Sequence, residues 1–407
     1  MRVLLVNAFH YLRGGVERAY LDESRWLTAA GHEVAHMAIR DPRNLPSPTA
    51  EFFAPAVDFG EDRASFEQPS RWTRVLWSRP AARSMRGLVE KFRPEIAHLH
   101  APSRYLTPSI LRPLEAAGVP VVMTLHDFKP WCTNRLFFAH GAPCERCRGG
   151  RHVQALLTGC VQNSRLKSAV GMVEGYLHDG LHAYRAVRLW IAPSRFVRDK
   201  AIEHGVAPER LRVLPHGLDR IAGEDAPIEI PEGPYALFTG RLSLEKGVRL
   251  LPGIAARIAP VPLVVVGDGP LFGELETAAR ETSNLRALGY RSDEELATLR
   301  RRAAAVVVPS LFYEHFCYTA AEAMLDARPV AASRVGAIPE LVEHEVTGLL
   351  APAGDADALG TALGRALKEP AATRWAAAGY ARVHAAGDPK KHLEGLLAIY
   401  REAIAAA

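Results

Sequence analysis

The sequence predicts an α/β protein of two domains. Three observations lead there. The chain has 407 residues, more than one core commonly holds and ample for two. Short apolar runs rich in β-branched residues recur along it, among them Val3–Val6, Val261–Val266 and Ala303–Val308, and segments of helical pattern separate them. Each run ends in a turn of glycine, proline or polar residues (NAFHYLRGG, GDGP, PSLFYEH), as parallel strands feeding helices do.

Composition narrows the class. Hydrophobic residues make up 48% and charged residues 23%, the balance of a globular protein. A net charge of +5 is too small to argue for nucleic acid as a partner. No run of about 18 apolar residues exists to span a bilayer, and MRVLLVN is too short an apolar start for a signal peptide. The expected location is cytoplasmic, where thiols stay reduced.

The stretch Pro309–Leu325, PSLFYEHFCYTAAEAML, carries two carboxylates. It follows a strand over Ala303–Val308, and Ala320, Ala321, Ala323, Met324 and Leu325 are good helix formers. Glu314 therefore belongs to a strand-to-helix loop, with Glu322 about one turn inside the helix. The N–H groups that open this helix, near Cys317–Thr319, have the geometry that receives phosphate. Two solvated glutamates on an ordinary βα unit would look the same in isolation. The upstream partners Gly240-Arg241, Lys246-Gly247 and Gly267-Asp268-Gly269-Pro270 favour a site.

Taken together, E-x7-E, GRL-x3-KG and VVVGDGP resemble the retaining glycosyltransferases of family 4, which have the GT-B fold. The resemblance extends over nearly the whole chain and is strongest in its second half. It implies two Rossmann-like domains facing a deep cleft: 1–215 binds the acceptor, 216–385 binds the nucleotide-sugar, and a helix in 386–407 returns to the first domain. It implies that Glu314 and His126 contact the donor sugar and that Tyr290 and Arg291 pack against the base. Phe316, Cys317, Tyr318, Thr319 and Glu322 then hold phosphate and ribose. Members of the family often have a glycine in the turn after the first glutamate, where this chain has His315-Phe316-Cys317.

In chain order, the first strand leads to Gly14-Gly15 and a helix containing Ala19, Tyr20, Leu21 and Trp26. Glycines there let a ligand approach the backbone, but the spacing is not that of a dinucleotide fingerprint. Residues 40–69 read as loop. Over 71–93, Arg71, Arg74, Arg79, Arg83, Arg86, Lys91 and Arg93 alternate with Trp72, Trp77 and Leu88. That pattern suits peripheral contact with anionic lipid or an anionic acceptor, although a solvated helix face is the preferred reading and Pro80 would interrupt a continuous helix. Strands over 96–100 and 119–126 follow, and His126 stands at the carboxyl end of the second, where open α/β sheets bind ligands. His100 is a weaker candidate on the acceptor side.

The segment 131–160 holds Cys132, Cys144, Cys147 and Cys160 in a polar, glycine-rich context. One Cys-x2-Cys with two further thiols suits a structural zinc site. Four sulfur ligands leave no open position for chemistry, and free buried thiols are the alternative. Some family members carry a similar insert. Further on, Ser164–Ala183 reads as a helix, Leu189–Ser194 as the last strand of the first domain, and Ile221–Gly233 as linker. Asp355 and Asp357 read as a helix cap in preference to a metal pair. Pro389–Ala407 has Leu393, Leu396, Leu397 and Tyr400 at helical spacing.

The resulting expectation is a hexose transfer from a UDP- or GDP-sugar to a glycan or lipid-linked acceptor in cell-envelope polysaccharide synthesis. Arg241, Lys246, Gly240, Gly267 and Gly269 would hold the departing diphosphate, and catalysis would need no metal. Two alternatives are an epimerase of the same fold, which needs no acceptor, and a non-catalytic sugar-nucleotide sensor.

Overall fold

The computed structural model describes residues 1–56, 74–220 and 225–406. The chain divides into two compact units. Met1–Phe137, Cys144–Gly217 and Pro389–Ala407 form the first; Phe138–Pro143 and Leu218–Asp388 form the second.

The first unit is built on a six-stranded sheet: β1 (Arg2–Val6), β2 (Glu33–Met37), β3 (Ile96–Leu99), β4 (Val121–Thr124), β7 (Val187–Ala192) and β8 (Leu211–Val213) in the order β2-β1-β3-β4-β7-β8. All its pairs are parallel. β3 and β4 are buried at every residue, which explains why they read as unbroken apolar runs rather than alternating ones. The chain visits β2 on one side of β1 and β3 on the other, so the switch point lies at the carboxyl ends of β1 and β3. There such sheets bind ligands, and Gly14-Gly15 and His100 follow those two strands. The terminal helix Pro389–Ala405 packs into this unit: Leu396, Ile399, Tyr400 and Ala403 join Val3, Leu5, Ile96, Val122 and Ile191 in one core.

The second unit repeats the plan with β9 (Ala236–Thr239), β10 (Leu263–Val266), β11 (Leu285–Gly289), β12 (Ala305–Val308), β13 (Val330–Ser333) and β14 (Leu349–Ala351) in the order β11-β10-β9-β12-β13-β14, again all parallel. Its core has two layers, one per sheet face. Leu237, Val264, Val266, Val306 and Val308 enter one; Phe238, Val265, Ala305 and Val307 enter the other. Alternation at period two places successive side chains on opposite faces. Here the switch point lies between β9 and β12. Both units are Rossmann-like.

Some expectations hold and others need correction. The break expected at Pro80 is present: residues 74–76 are helical, 77–78 are not, and a new helix, Arg79–Phe92, starts where Ser78 accepts from Ala81 N, with Pro80 in its first turn, where a missing N–H costs nothing. The basic residues of this helix are exposed, while Ala81, Met85, Leu88 and Val89 are buried; Arg71 and Trp72 lie outside the described residues. The insert contains an unforeseen hairpin, β5 (Phe138–Ala139) with β6 (Ala142–Pro143), and residues 138–143 group with the second unit, whereas 131–160 was expected wholly in the first. Asp355 caps the helix Ala356–Lys368 by accepting from Ala358 N at 2.8 Å, as the local sequence implied.

Candidate functional site

In the second unit the loops that follow β9, β10 and β12 meet at the carboxyl edge of the sheet. Gly240 N donates to Val266 O, Leu242 N to Asp268 O, and Leu311 N to Glu245 O. Glycine is required where these loops touch. A Cβ on Gly267 would lie 1.9 Å from Gly240 O, and one on Gly247, whose φ is +74°, would lie 1.9 Å from Pro309 O. These backbones close on one another, which presents Gly240, Gly267 and Gly269 along one edge.

Within this frame Lys246 Nζ donates to Glu314 Oε1 at 2.8 Å, and Ser310 Oγ donates to the same oxygen at 2.7 Å. Lys246 also lies over the Phe312 ring, 4.8 Å from its centroid. Burial alone would lower the Lys246 pKa, but the charge of Glu314 overrides it and raises the value, so the ammonium persists. His315 goes the other way: burial, then the Lys246 charge, lower it to about 3, and it is neutral.

Cys317 occupies the left-handed region (φ +68°) immediately before the helix Tyr318–Leu325. That conformation is the physical reason a glycine suits this turn. Thr319 Oγ1 donates to Thr239 O at 3.3 Å, which pins the helix start to the end of β9. The Phe316 and Tyr318 rings meet edge-on at 5.1 Å.

Glu322 is held by a residue the sequence reading missed. Arg300, buried on the helix Asp293–Arg302, donates through Nη1 to Glu322 Oε2 at 3.0 Å and through Nε to Asp326 Oδ2 at 2.6 Å. The run Leu299-Arg300-Arg301-Arg302 hid it, since its neighbours pair with exposed Asp225. Ser310 was missed for a similar reason, being one hydroxyl in a polar loop. Arg241 is exposed, and so is Tyr290 at 75%; Arg291 Nη1 donates to the Tyr290 carbonyl. Lys246 and Glu314 are thus in direct contact, whereas Glu322 is engaged by Arg300.

In the first unit Gly14 is the N-cap of the helix Gly15–Ala29, and a Cβ there would meet nothing within 4 Å. His126 follows β4. Its Nε2 is 3.0 Å from His100 Nδ1, and its ring stacks on His216 at 5.0 Å with 4° between planes. Burial, then the neighbouring His216 and His100, hold its pKa well below 6.5. Behind it lie His98, His392 and the buried Glu23, another residue the sequence reading did not single out.

Cys132, Cys144, Cys147 and Cys160 are free thiols. Burial, with Cys147 and Cys160 among the further causes, pushes Cys132 up to about 12; burial, then Cys160 and Cys144, pushes Cys147 up to about 11. Cys132 Sγ donates to Asn134 Oδ1 at 2.9 Å. Among the described residues the one group of three ligand atoms within 4.8 Å of one another is Glu23, His98 and His100, so no three of the sulfurs gather that closely. No helix among the described residues is long and apolar enough to cross a membrane.

Two Rossmann-like units of this topology, with these loops at their carboxyl edges, define the GT-B class of fold. The description Glycosyltransferase Family 4 matches residues 13–220, and Glycosyl transferases group 1 matches 233–369. The first match alone spans more than half of the chain, and the chain belongs to Glycosyltransferase Family 4. It is 29% identical over 239 residues to 2-deoxystreptamine glucosyltransferase of Streptomyces kanamyceticus, covering 52% of this chain and 62% of that protein. It is 25% identical over 378 residues to phosphatidyl-myo-inositol mannosyltransferase of Mycolicibacterium smegmatis, covering 89% and 84%. The chain spans 62%, 43% and 35% of the lengths of the first three curated relatives it matches. Anabaena HepE in complex with UDP and glucose superposes with a TM-score of 0.70 at 18% identity, covering 99% of this chain and 100% of that one. Sucrose-phosphate synthase from Thermosynechococcus elongatus gives 0.71 at 19% identity, with both chains covered in full. These two likenesses establish the fold.

Proposed function

We propose that this chain is a retaining glycosyltransferase that moves a hexose from a nucleoside diphosphate sugar to a glycan or lipid-linked acceptor of the cell envelope. The observation that carries the reading is the Lys246–Glu314 contact beside the helix start at Tyr318, at the carboxyl edge of β12. As the glycosidic bond breaks, negative charge grows on the leaving diphosphate and positive charge on the sugar. Cations and N–H groups fixed near the phosphates lower the barrier because they bind the transition state more tightly than the ground state. Arg241 and Lys246 supply charge, and the start of the helix supplies oriented N–H groups. Glu314 accepts from sugar hydroxyls and Glu322 from the ribose, with Arg300 fixing its carboxylate. The first unit provides the acceptor groups, together with His126. UDP and GDP are the candidate diphosphates; the Anabaena relative, in complex with UDP and glucose, supports the former.

The proposed chemistry uses these side chains and no catalytic metal, so transfer persists in excess EDTA. A separate structural zinc at Cys132, Cys144, Cys147 and Cys160 would supply only cross-linking of the insert. Binding would need all four thiols as thiolates, and metal analysis of purified protein reads one zinc per chain. The function is tested by incubating the enzyme with UDP- and GDP-hexoses and following release of nucleoside diphosphate. NMR of the first product anomer reads retention. Failure to cleave or transfer from any of them overturns the proposal.

A further inference from the structure

Glu23 sits on the helix Gly15–Ala29 with its side chain 2% exposed, and three histidines from two other elements surround it. Its Oε1 is 3.1 Å from His392 Nε2 on the terminal helix. Its Oε2 is 3.3 Å from His98 Nδ1 and 3.4 Å from His100 Nε2, both on or just after β3. Burial would raise its pKa, but His100 and His98, joined by His392, reverse this and hold it well below 4.5. It is a carboxylate, and a carboxylate only accepts.

The protons of the cluster follow from that. His392 Nδ1 is 2.8 Å from the carbonyl of Pro215, and a carbonyl also only accepts. With acceptors at both nitrogens, His392 carries two protons and forms a buried ion pair with Glu23. His98 is held at both nitrogens by hydroxyls, Tyr400 at 2.8 Å and Thr124 at 2.7 Å, and burial lowers it to about 4. His100 Nε2 faces Glu23 Oε2 at 3.4 Å, outside hydrogen-bond geometry, and neither buried atom has any other hydrogen-bond partner, so the carboxylate acts on this nitrogen by its charge. The charge of Glu23 favours the tautomer with its proton on His100 Nε2. In that tautomer His100 Nδ1 is bare, and its 3.0 Å approach to His126 Nε2 is a hydrogen bond only if His126 Nε2 donates.

We infer that Glu23 is a positioning residue that fixes the tautomer of His126 through His100, leaving Nδ1 of His126 as a hydrogen-bond acceptor for a hydroxyl of the bound sugar. The same arrangement disfavours a carboxylate or phosphate at that nitrogen, since two acceptors repel. Glu23, His98 and His100 also meet at metal-ligand spacing, but hydroxyls already occupy both His98 nitrogens. The inference rests on the reading of His126 as a sugar-contacting residue; the tautomer itself does not depend on it.

The test uses the full-length chain labelled uniformly with 15N. Long-range 1H–15N correlation spectra report which nitrogen of each imidazole bears the proton, and His100→Gln and His126→Gln variants assign the two rings. Both should be protonated at Nε2 in the wild type; a proton at Nδ1 of His126 overturns the inference. Glu23→Gln places an amide N–H where only an acceptor stood. It should switch both tautomers and lower kcat/KM for the donor by about 10-fold or more, while Glu23→Asp restores the wild-type tautomers and most of the activity. Equal kcat/KM pH profiles for wild type and Glu23→Gln also overturn it. Because the profile reads this whole cluster, the groups facing Glu23 and His100 matter: Tyr20, His98, His126, His216, His392 and Tyr400. If the tautomers are as stated but no nucleotide-sugar is consumed, the proposed function falls and the relay stands. If sugar is transferred with His126 protonated at Nδ1, the relay alone falls.

Discussion

Glu314→Gln separates the charge of this carboxylate from its shape. The native oxygen accepts from Lys246 Nζ at 2.8 Å and from Ser310 Oγ at 2.7 Å, with the Glu314 side chain 8% and the Lys246 side chain 30% exposed. Removing one member of a fully buried pair costs about 3–5 kcal/mol. Water reaches Lys246, and the amide oxygen still accepts from Ser310, so we expect about 1–3 kcal/mol here. For a unit of this size each kcal/mol lowers Tm by about 2–4 °C. The effect on transfer is separate. A charge-assisted hydrogen bond to a sugar hydroxyl contributes about 1.5–3 kcal/mol, so losing one lowers kcat/KM about 10- to 150-fold. Initial rates measured below the melting transition, alongside thermal unfolding, read the two effects independently. A variant that melts lower but retains kcat/KM within about twofold would refute the assignment of Glu314 to the donor.

Other consequences are equally direct. Arg300→Met leaves buried Asp326 with only the more exposed Arg220, 3.4 Å away, so stability should fall by about 3 kcal/mol, the low end for a broken buried pair, in denaturant unfolding; a loss below 1 kcal/mol contradicts the buried pair. Gly247→Ala must adopt a left-handed backbone, costing about 1–2 kcal/mol, and its Cβ must also displace the Pro309 carbonyl; a melting temperature equal to wild type would contradict the close approach of these loops. The Glu23–His392 pair predicts the pH dependence of stability. His392 is raised from 6.5 against the pull of burial by its hydrogen bond to Glu23 and that residue's charge, so its contribution is complete below 6.5 and is lost as pH rises through the folded value. Glu23 is depressed, so its contribution is present above 4.5 and is lost as pH falls through the folded value. The joint contribution is therefore greatest between 4.5 and 6.5, and His392→Gln should flatten the alkaline side of the Tm profile; an unchanged alkaline side contradicts the pairing.

The strands were legible because buried parallel strands announce themselves as β-branched apolar runs, and Ala305–Val308 and Leu263–Val266 fall inside the runs read from sequence. The Asp355 cap was legible too, since it needs only local context. Pro80 was legible as a break in the 71–93 stretch, and Ser78 explains why the break falls before it: proline opens a new helix there. The motifs placed Lys246 and Glu314 in one site, but their direct contact across 68 positions was not legible in either motif. Arg300 and Glu23 stayed hidden because nothing local marks them. Their role comes from partners such as His392, 369 positions from Glu23, brought together by tertiary packing.

The central claim is that the cations of the second unit bind the diphosphate of the donor. Calorimetric titration of the wild-type chain and of Arg241→Met and Lys246→Met with UDP and GDP tests it most directly. Wild type should bind one of the two with an affinity that weakens as salt is added, and each variant should bind it at least about tenfold more weakly. Equal affinity in wild type and both variants would contradict the account.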